Sequence, residues 1–298
     1  MAKCNMCPRE CNRDRDLGEI GLCHCPNDFS VAKVMLHKWE EPCLVGENGA
    51  GTIFFSGCNL GCIFCQNRSI SRNANGRIMS DRELEKEIFT LVDGGASCIE
   101  FVTPTHYSER IATLLLRIKH KLQIPVVWNS GGYEKADTLR ALDGLVDIYM
   151  PDFKYFSHEI AKKYSSAPFY RDFAISALLE CVRQVGKPQL NEKGMLERGV
   201  IVRHLMLPSH RSDSIAVLEL LADEIGVDNM ILSLMGQYTP DFYIELEKEC
   251  GANENFKNLR RRLTSFEYDS VLSRATELGF DGYFQSLDSA SKSFTPEF

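Results

Sequence analysis

From residue 52 onward the chain alternates between short apolar runs and longer amphipathic stretches, and this alternation limits its folding choices most. The apolar runs fall at 52–56, 99–102, 124–128, 146–150, 200–206 and 230–234, rich in β-branched and aromatic residues. A strand-length run with no apolar/polar alternation is buried on both faces, as parallel strands covered by crossover helices are. Helical patterns occupy 80–92, 108–122, 133–142, 158–184 and 212–225, with Ser80 and Asp81 as candidate caps of the first. Six such units predict an α/β fold, a partial (β/α)6 barrel of the TIM type. A helix over 265–278 and the run Gly282-Tyr283-Phe284-Gln285 follow. Before the first unit, residues 31–39 read as an edge strand, and the glycine-rich 46–51 as a turn lacking the Lys-Ser/Thr of a phosphate loop. The length of 298 residues is ordinary for such a barrel.

In parallel βα folds, ligands bind where the strands end at their C-termini. Polar residues collect at those ends in turn. They are Cys58, Cys62 and Cys65; Thr103-Pro104-Thr105-His106; Asn129-Ser130-Gly131-Gly132-Tyr133; Asp152-Phe153-Lys154; Arg203-His204; and Gly236-Gln237-Tyr238. Singly, each has a plain structural reading: His106 as a satisfied loop histidine, Asp152–Lys154 as an ion pair, Arg203 as a surface charge. Six strand ends converging on one mouth favour a ligand site.

The start, Met1-Ala2-Lys3-Cys4, has no secretory pattern, and no apolar run reaches membrane-spanning length, so a cytoplasmic chain is expected. Twelve cysteines in a reducing compartment point to metal rather than disulfides. Cys58, Cys62 and Cys65, spaced C-x3-C-x2-C, can hold three irons of a four-iron cluster and leave the fourth open to a ligand. A zinc loop or scattered core cysteines are the alternatives, although structural zinc sites usually pair two C-x2-4-C elements. Cys4, Cys7, Cys11 and Cys23, spaced C-x2-C-x3-C-x11-C, lie in a stretch with neither helical nor strand periodicity. Such a stretch cannot build its own core, but zinc or a second iron–sulfur cluster can organise it; a disordered tail is the other reading. The chain thus divides into a cysteine-rich metal-binding extension, 1–30, and a barrel domain, 31–298. Cys43, Cys98, Cys181 and Cys250 stand alone and read as small buried residues, while Cys25 is ambiguous. The net charge of −7 argues against nucleic acid or anionic membrane as a partner.

The stretch Phe54-Phe55-Ser56-Gly57-Cys58-Asn59-Leu60-Gly61-Cys62-Ile63-Phe64-Cys65-Gln66-Asn67 resembles the signature of the radical S-adenosylmethionine (SAM) enzymes. It is most similar to the pyruvate-formate-lyase-activating-enzyme-like branch. The resemblance implies a partial barrel, a [4Fe–4S] cluster on the three cysteines and SAM at the open iron. It also implies reductive cleavage of SAM to a 5′-deoxyadenosyl radical that abstracts hydrogen, fed by a one-electron reductant such as flavodoxin or ferredoxin. Activation of a glycyl-radical enzyme is one expected outcome, and action on a small molecule or other peptide is another. From a different class, a non-catalytic iron–sulfur electron carrier and a zinc-stabilised binding module are the competing readings.

Carried over motif by motif, the resemblance places Phe64 and Asn67 beside adenine. Thr105 and His106 stand where many members have a Gly-Gly-Glu segment contacting the SAM amino group, which this chain lacks. Asn129 and Ser130 become ribose partners, with Asp152 serving the ribose or orienting Lys154. Arg203 suits the carboxylate, with His204 and Lys154 as competitors, and Gln237 joins from the sixth strand end. The loop 186–199, rich in charge and glycine, reads as a lid over the mouth.

Overall fold

The computed structural model describes residues 3–285 and 287, apart from Ala74 and Ala252. The end of the expected barrel domain, 288–298, and the start Met1-Ala2 lie outside the described residues. In chain order the strands are β1 Phe29–His37, β2 Ala50–Phe55, β3 Arg77–Met79, β4 Ile99–Val102, β5 Val126–Ser130, β6 Ile148–Pro151, β7 Gln189–Leu190, β8 Leu196–Leu205, β9 Ile231–Met235 and β10 Gly282–Phe284. The helices are α1 Pro42–Val45, α2 Arg68–Asn73, α3 Asp81–Asp93, α4 Ser108–Ile118, α5 Ala136–Arg140, α6 His158–Ser165, α7 Tyr170–Val185, α8 Arg211–Glu224, α9 Asp241–Cys250 and α10 Ser265–Leu278.

The strands form one sheet in the order β10-β9-β8-β6-β5-β4-β2-β1-β3, with β7 paired to β8 alone. From β2 through β10 the successive neighbours are parallel, while β1 runs antiparallel to both β2 and β3. The six apolar runs supply six parallel strands, and the run at 282–285 adds a seventh, β10. The sheet curls: Arg203 on β8 reaches past β6 to donate to Asn129 Oδ1 on β5 at 2.7 Å. It does not close. Its edges are β3 and β10, and an opening remains, flanked by residues 37–42 and 282–285.

Side chains alternate between the interior and the helical layer, as the strand period requires. Inward residues at the strand starts, Ala50, Cys98, Val127, Ile148 and Ile201, pack with Cys43 and Leu44 of α1, which stop the N-terminal end of the barrel. Outward residues such as Ile53, Phe55, Phe101, Trp128, Tyr149 and Val202 belong to the main core beneath the helices. Helix α3 starts at a capping box, with Ser80 Oγ accepting from Glu83 N while the Glu83 carboxylate accepts from Ser80 N. It buries Leu84, Ile88 and Leu91 on one stripe.

Five expectations need correction. The strand expected over 31–39 is not at an edge, because β1 pairs with both β2 and β3, and Cys250 at the end of α9 is exposed, not buried. The helical pattern over 158–184 is two helices, because Ser166 turns left-handed (φ 48°), Pro168 can offer no N–H, and Phe169 is left-handed too (φ 54°). The pattern over 133–142 yields only the short α5, since Tyr133 and Glu134 are buried at the end of β5. The segment 186–199 is not a lid. It forms the β7–β8 hairpin, and Gly199 N donates to Asp147 O just before β6 begins, at the face opposite the mouth. Helix α9 had no counterpart in the sequence reading. The extension feeds directly into β1 at Phe29, and its Cys23 and Cys25 are part of the main core.

Candidate active site

At the C-terminal mouth lies a cavity of about 670 Å3. Cys58, Cys62 and Cys65 line it, on the loop that leaves β2. Gly57 and Gly61, both at φ 78°, turn that loop back on itself, and a side chain at Gly57 would come within 2.3 Å of Cys23 O. Each thiol has a donor aimed at its sulfur: Leu60 N to Cys58 at 3.4 Å, Ser165 Oγ to Cys62 at 3.0 Å and Ser71 Oγ to Cys65 at 3.5 Å. Burial, and then the neighbouring Cys62 and Cys58 thiols, push Cys65 up to about 11; burial and Cys62 also raise Cys58. Three unpaired thiols within one another's field, each already offered a hydrogen bond, are the donor set an iron–sulfur cluster needs. Among the described residues no three His, Cys, Asp or Glu side chains stand in a geometry that holds a single metal ion.

Opposite the cysteines, a buried polar network crosses the barrel. Thr52 Oγ1 and Asn129 Nδ2 donate to the two oxygens of Glu100, each at 2.7 Å. Arg203 joins Asn129 to Asp152 Oδ1 (3.0 Å) and Glu40 (3.4 Å), and Lys154 Nζ donates to Asp152 Oδ2 at 2.6 Å. Burial opposes charge on Asp152, yet Lys154 and Arg203 outweigh it and hold the carboxyl below its ordinary value. Burial and the adjacent Glu100 push Glu40 up to about 8, while burial and Glu40 push Glu41 up to about 7. Glu41 accepts from Ser233 Oγ on β9 at 2.7 Å. Gln285 also lines the cavity, and its buried Oε1 has no partner among the described residues.

Phe64, Asn67, Asn129, Ser130, Asp152, Lys154, Arg203 and Gln237 all line this cavity with the three cysteines. Phe64 also packs edge-on against Tyr164 and Tyr238. The Ser130 hydroxyl is already committed to Glu134 at 2.5 Å. Thr105 and His106 do not line the cavity. Thr105 Oγ1 donates to Glu134 and the His106 ring bonds Ser56 O, both buried beneath the loop. Burial, with Arg15 nearby, lowers His106 to about 3, so it is neutral. The residue of that segment that does reach the cavity is Thr103, whose left-handed backbone (φ 57°) is unusual for a β-branched side chain. His204 faces outward, its ring held between Phe153 O and Ser214 Oγ, and so does not compete for a carboxylate. Sequence reasoning missed Glu40, Glu41, Glu100, Thr103 and Gln285; only Thr103 lay in a segment already marked by its strand-end position.

The extension packs against the same loop. Burial, then the thiols of Cys23, Cys4 and Cys11, push Cys7 up to about 12, which puts the four cysteines within electrostatic reach of one another.

Residues 52–186 match the model of the radical SAM superfamily. Over 290 residues the chain is 29% identical to Uncharacterized protein MJ0674 of Methanocaldococcus jannaschii, covering 93% of this chain and 75% of that protein. Among solved structures, that of methylornithine synthase (PylB) aligns with 78% of this chain and 82% of its own, at 14% identity and a TM-score of 0.45. No helix among the described residues is long and apolar enough to cross a membrane. The matched segment, 52–186, opens with β2 and carries the C-x3-C-x2-C loop at its first strand end, so it is to the radical SAM superfamily that this part of the chain is similar.

Proposed function

We propose that the cavity holds a [4Fe–4S] cluster on Cys58, Cys62 and Cys65 with SAM beside it, and that the protein generates a 5′-deoxyadenosyl radical to abstract hydrogen from a substrate. The observation that carries this is the convergence of three unpaired, hydrogen-bonded thiols and the Asp152–Lys154–Arg203 group on one cavity. When bound, the cluster supplies the electron that cleaves the sulfonium bond of SAM. The chain's part is placement. Lys154 and Arg203 offer cationic donors to a carboxylate, the Glu40–Glu41 pair faces the cavity as acceptors for an ammonium, and Asn67 and Gln237 are left for ribose and adenine, while the Asn129 amide is held between Glu100 and Arg203. The Gly-Gly-Glu contact is replaced by residues reaching in from outside that segment.

Within this class, activation of a glycyl-radical enzyme or action on another peptide is the finer reading. The exposed rim residues Trp39 (63%) and Phe284 (37%) favour a protein substrate over a small molecule. A flavodoxin- or ferredoxin-type reductant, a cytoplasmic setting, and zinc or a second cluster on Cys4, Cys7, Cys11 and Cys23 complete the proposal.

The test is anaerobic reconstitution with iron and sulfide, reduction by dithionite, addition of SAM and assay for 5′-deoxyadenosine. Product from the wild type and none from a Cys58/Cys62/Cys65→Ala triple variant is the expected result. A wild type that assembles a cluster yet neither binds nor cleaves SAM would sink the proposal in favour of an electron carrier.

A further inference from the structure

The extension has little to hold it together by burial. Between residues 3 and 28 the buried side chains are Cys7, Arg15, Cys23 and Cys25, while Leu17, Ile20 and Leu22 are 74, 57 and 57% exposed. Its backbone is nevertheless tightly turned. Glu10, Asn12 and His24 all take left-handed conformations, and Glu10 N to Cys7 O, Asn12 N to Cys4 O and His24 N to Gly21 O close the turns around the cysteines. A methyl group at Gly21 would stand 3.3 Å from Cys23 Sγ and 3.5 Å from Cys11 Sγ. A segment bent to gather thiols, with its own apolar residues left in water, needs another source of cohesion.

This segment also grips the cluster loop. Arg9, between Cys7 and Cys11, donates through Nε to Asn59 O (2.7 Å) and through Nη2 to Leu60 O (2.8 Å), the two carbonyls that follow Cys58. The same guanidinium reaches Ser165 O at 3.0 Å and Ser166 O, the carbonyls left unpaired at the end of α6, and lies over the Tyr133 ring. Cys58 N donates to Cys23 O at 3.2 Å, so one hydrogen bond joins the two cysteine sets. Cys25 Sγ donates to Ser56 O at 2.8 Å, immediately before the loop.

We propose that the extension is a metal-set brace: since the thiols stand in no single-ion geometry, a four-thiolate iron–sulfur centre on Cys4, Cys7, Cys11 and Cys23 fixes the turn that carries Arg9, and Arg9 with the Cys23 carbonyl holds the Cys58–Cys65 loop in shape. Arg9 is a positioning residue, acting on the loop's backbone. The brace rests on the metal on Cys4, Cys7, Cys11 and Cys23 proposed above, and not on SAM chemistry.

The experiment compares the full wild-type chain with Cys7→Ser/Cys11→Ser and Arg9→Gln. It reads zinc and iron by elemental analysis and amide hydrogen exchange over residues 57–66. In the cysteine variant, iron is lost and loop exchange quickens; loss of zinc instead overturns the iron–sulfur assignment. Arg9→Gln keeps that metal yet quickens the loop about tenfold or more, as loss of several charge-assisted bonds requires. Because the cysteine variant can fail to fold, Cys58/Cys62/Cys65→Ala gives a second count, and metal retained there supports the brace. No metal in that variant, or wild-type loop exchange in Arg9→Gln, overturns it. Neither readout involves SAM, so a protein that never cleaves SAM sinks the proposed function and leaves this inference standing.

Discussion

Glu40 and Glu100 face each other below Arg203, and burial with this like-charge neighbour lifts Glu40 to about 8. An acid whose pKa is raised on folding binds an extra proton in the native state, so its contribution to stability is lost as pH rises from about 4.5 through about 8. Against a Glu40→Gln variant, the wild type should therefore lose melting temperature across that window; equal slopes in the two sets of thermal melts would remove the Glu40 proton from the account. Asp152, Lys154 and Arg203 could be found from sequence because strand ends and the period of two place them inward. Thr105 and His106 could not, because the left-handed Thr103 swings the following turn beneath the loop, a backbone event no pattern announces. Glu40 and Glu41 escaped for another reason: they enter the barrel from the segment before the first parallel strand, where position along the chain says nothing about the cavity.

At the scale of elements, the gap between α6 and α7 turns an interrupted helix into part of the site. The end of α6 presents Tyr164 O to Ile63 N at 2.9 Å, the Ser165 carbonyl and that of the following Ser166 to Arg9, and the Ser165 hydroxyl to Cys62. Removing a donor from a thiolate ligand disfavours the reduced, more negative cluster. Ser165→Ala should lower the cluster's reduction potential by on the order of 40 mV, the one-electron equivalent of about 1 kcal/mol, in an EPR-monitored titration. An unchanged potential would make the Ser165 contact incidental. The periodic pattern runs through this gap because both helices bury a stripe on the same core, and Pro168 was the only punctuation. The long helices α3, α8 and α10 were legible nearly to the residue. β10 showed only as a short run, because an edge strand carries little apolar signal.

For the whole molecule, the two ends of the barrel have separate duties. The β7–β8 hairpin belongs to the N-terminal end, far from the cysteines. Replacing Asn191–Gly194 with a shorter turn should leave SAM cleavage within about twofold of wild type, since loops of this kind tolerate deletion where they carry no contact to the site. A larger loss in the 5′-deoxyadenosine assay would mean that the hairpin reaches the mouth in solution. The barrel class was legible because consecutive fully buried strands admit few other arrangements. The curl that brings Arg203 to Asn129, by contrast, is a matter of three-dimensional stagger. The unclosed seam between β10 and the β1–β3 side has its own consequence. A closed ring would admit only what fits wholly inside, whereas an open flank restricts the portion that enters and leaves the remainder in solvent. Selection among candidate targets then falls to the outer surface along that flank, and the interior can stay the same while the range of targets changes.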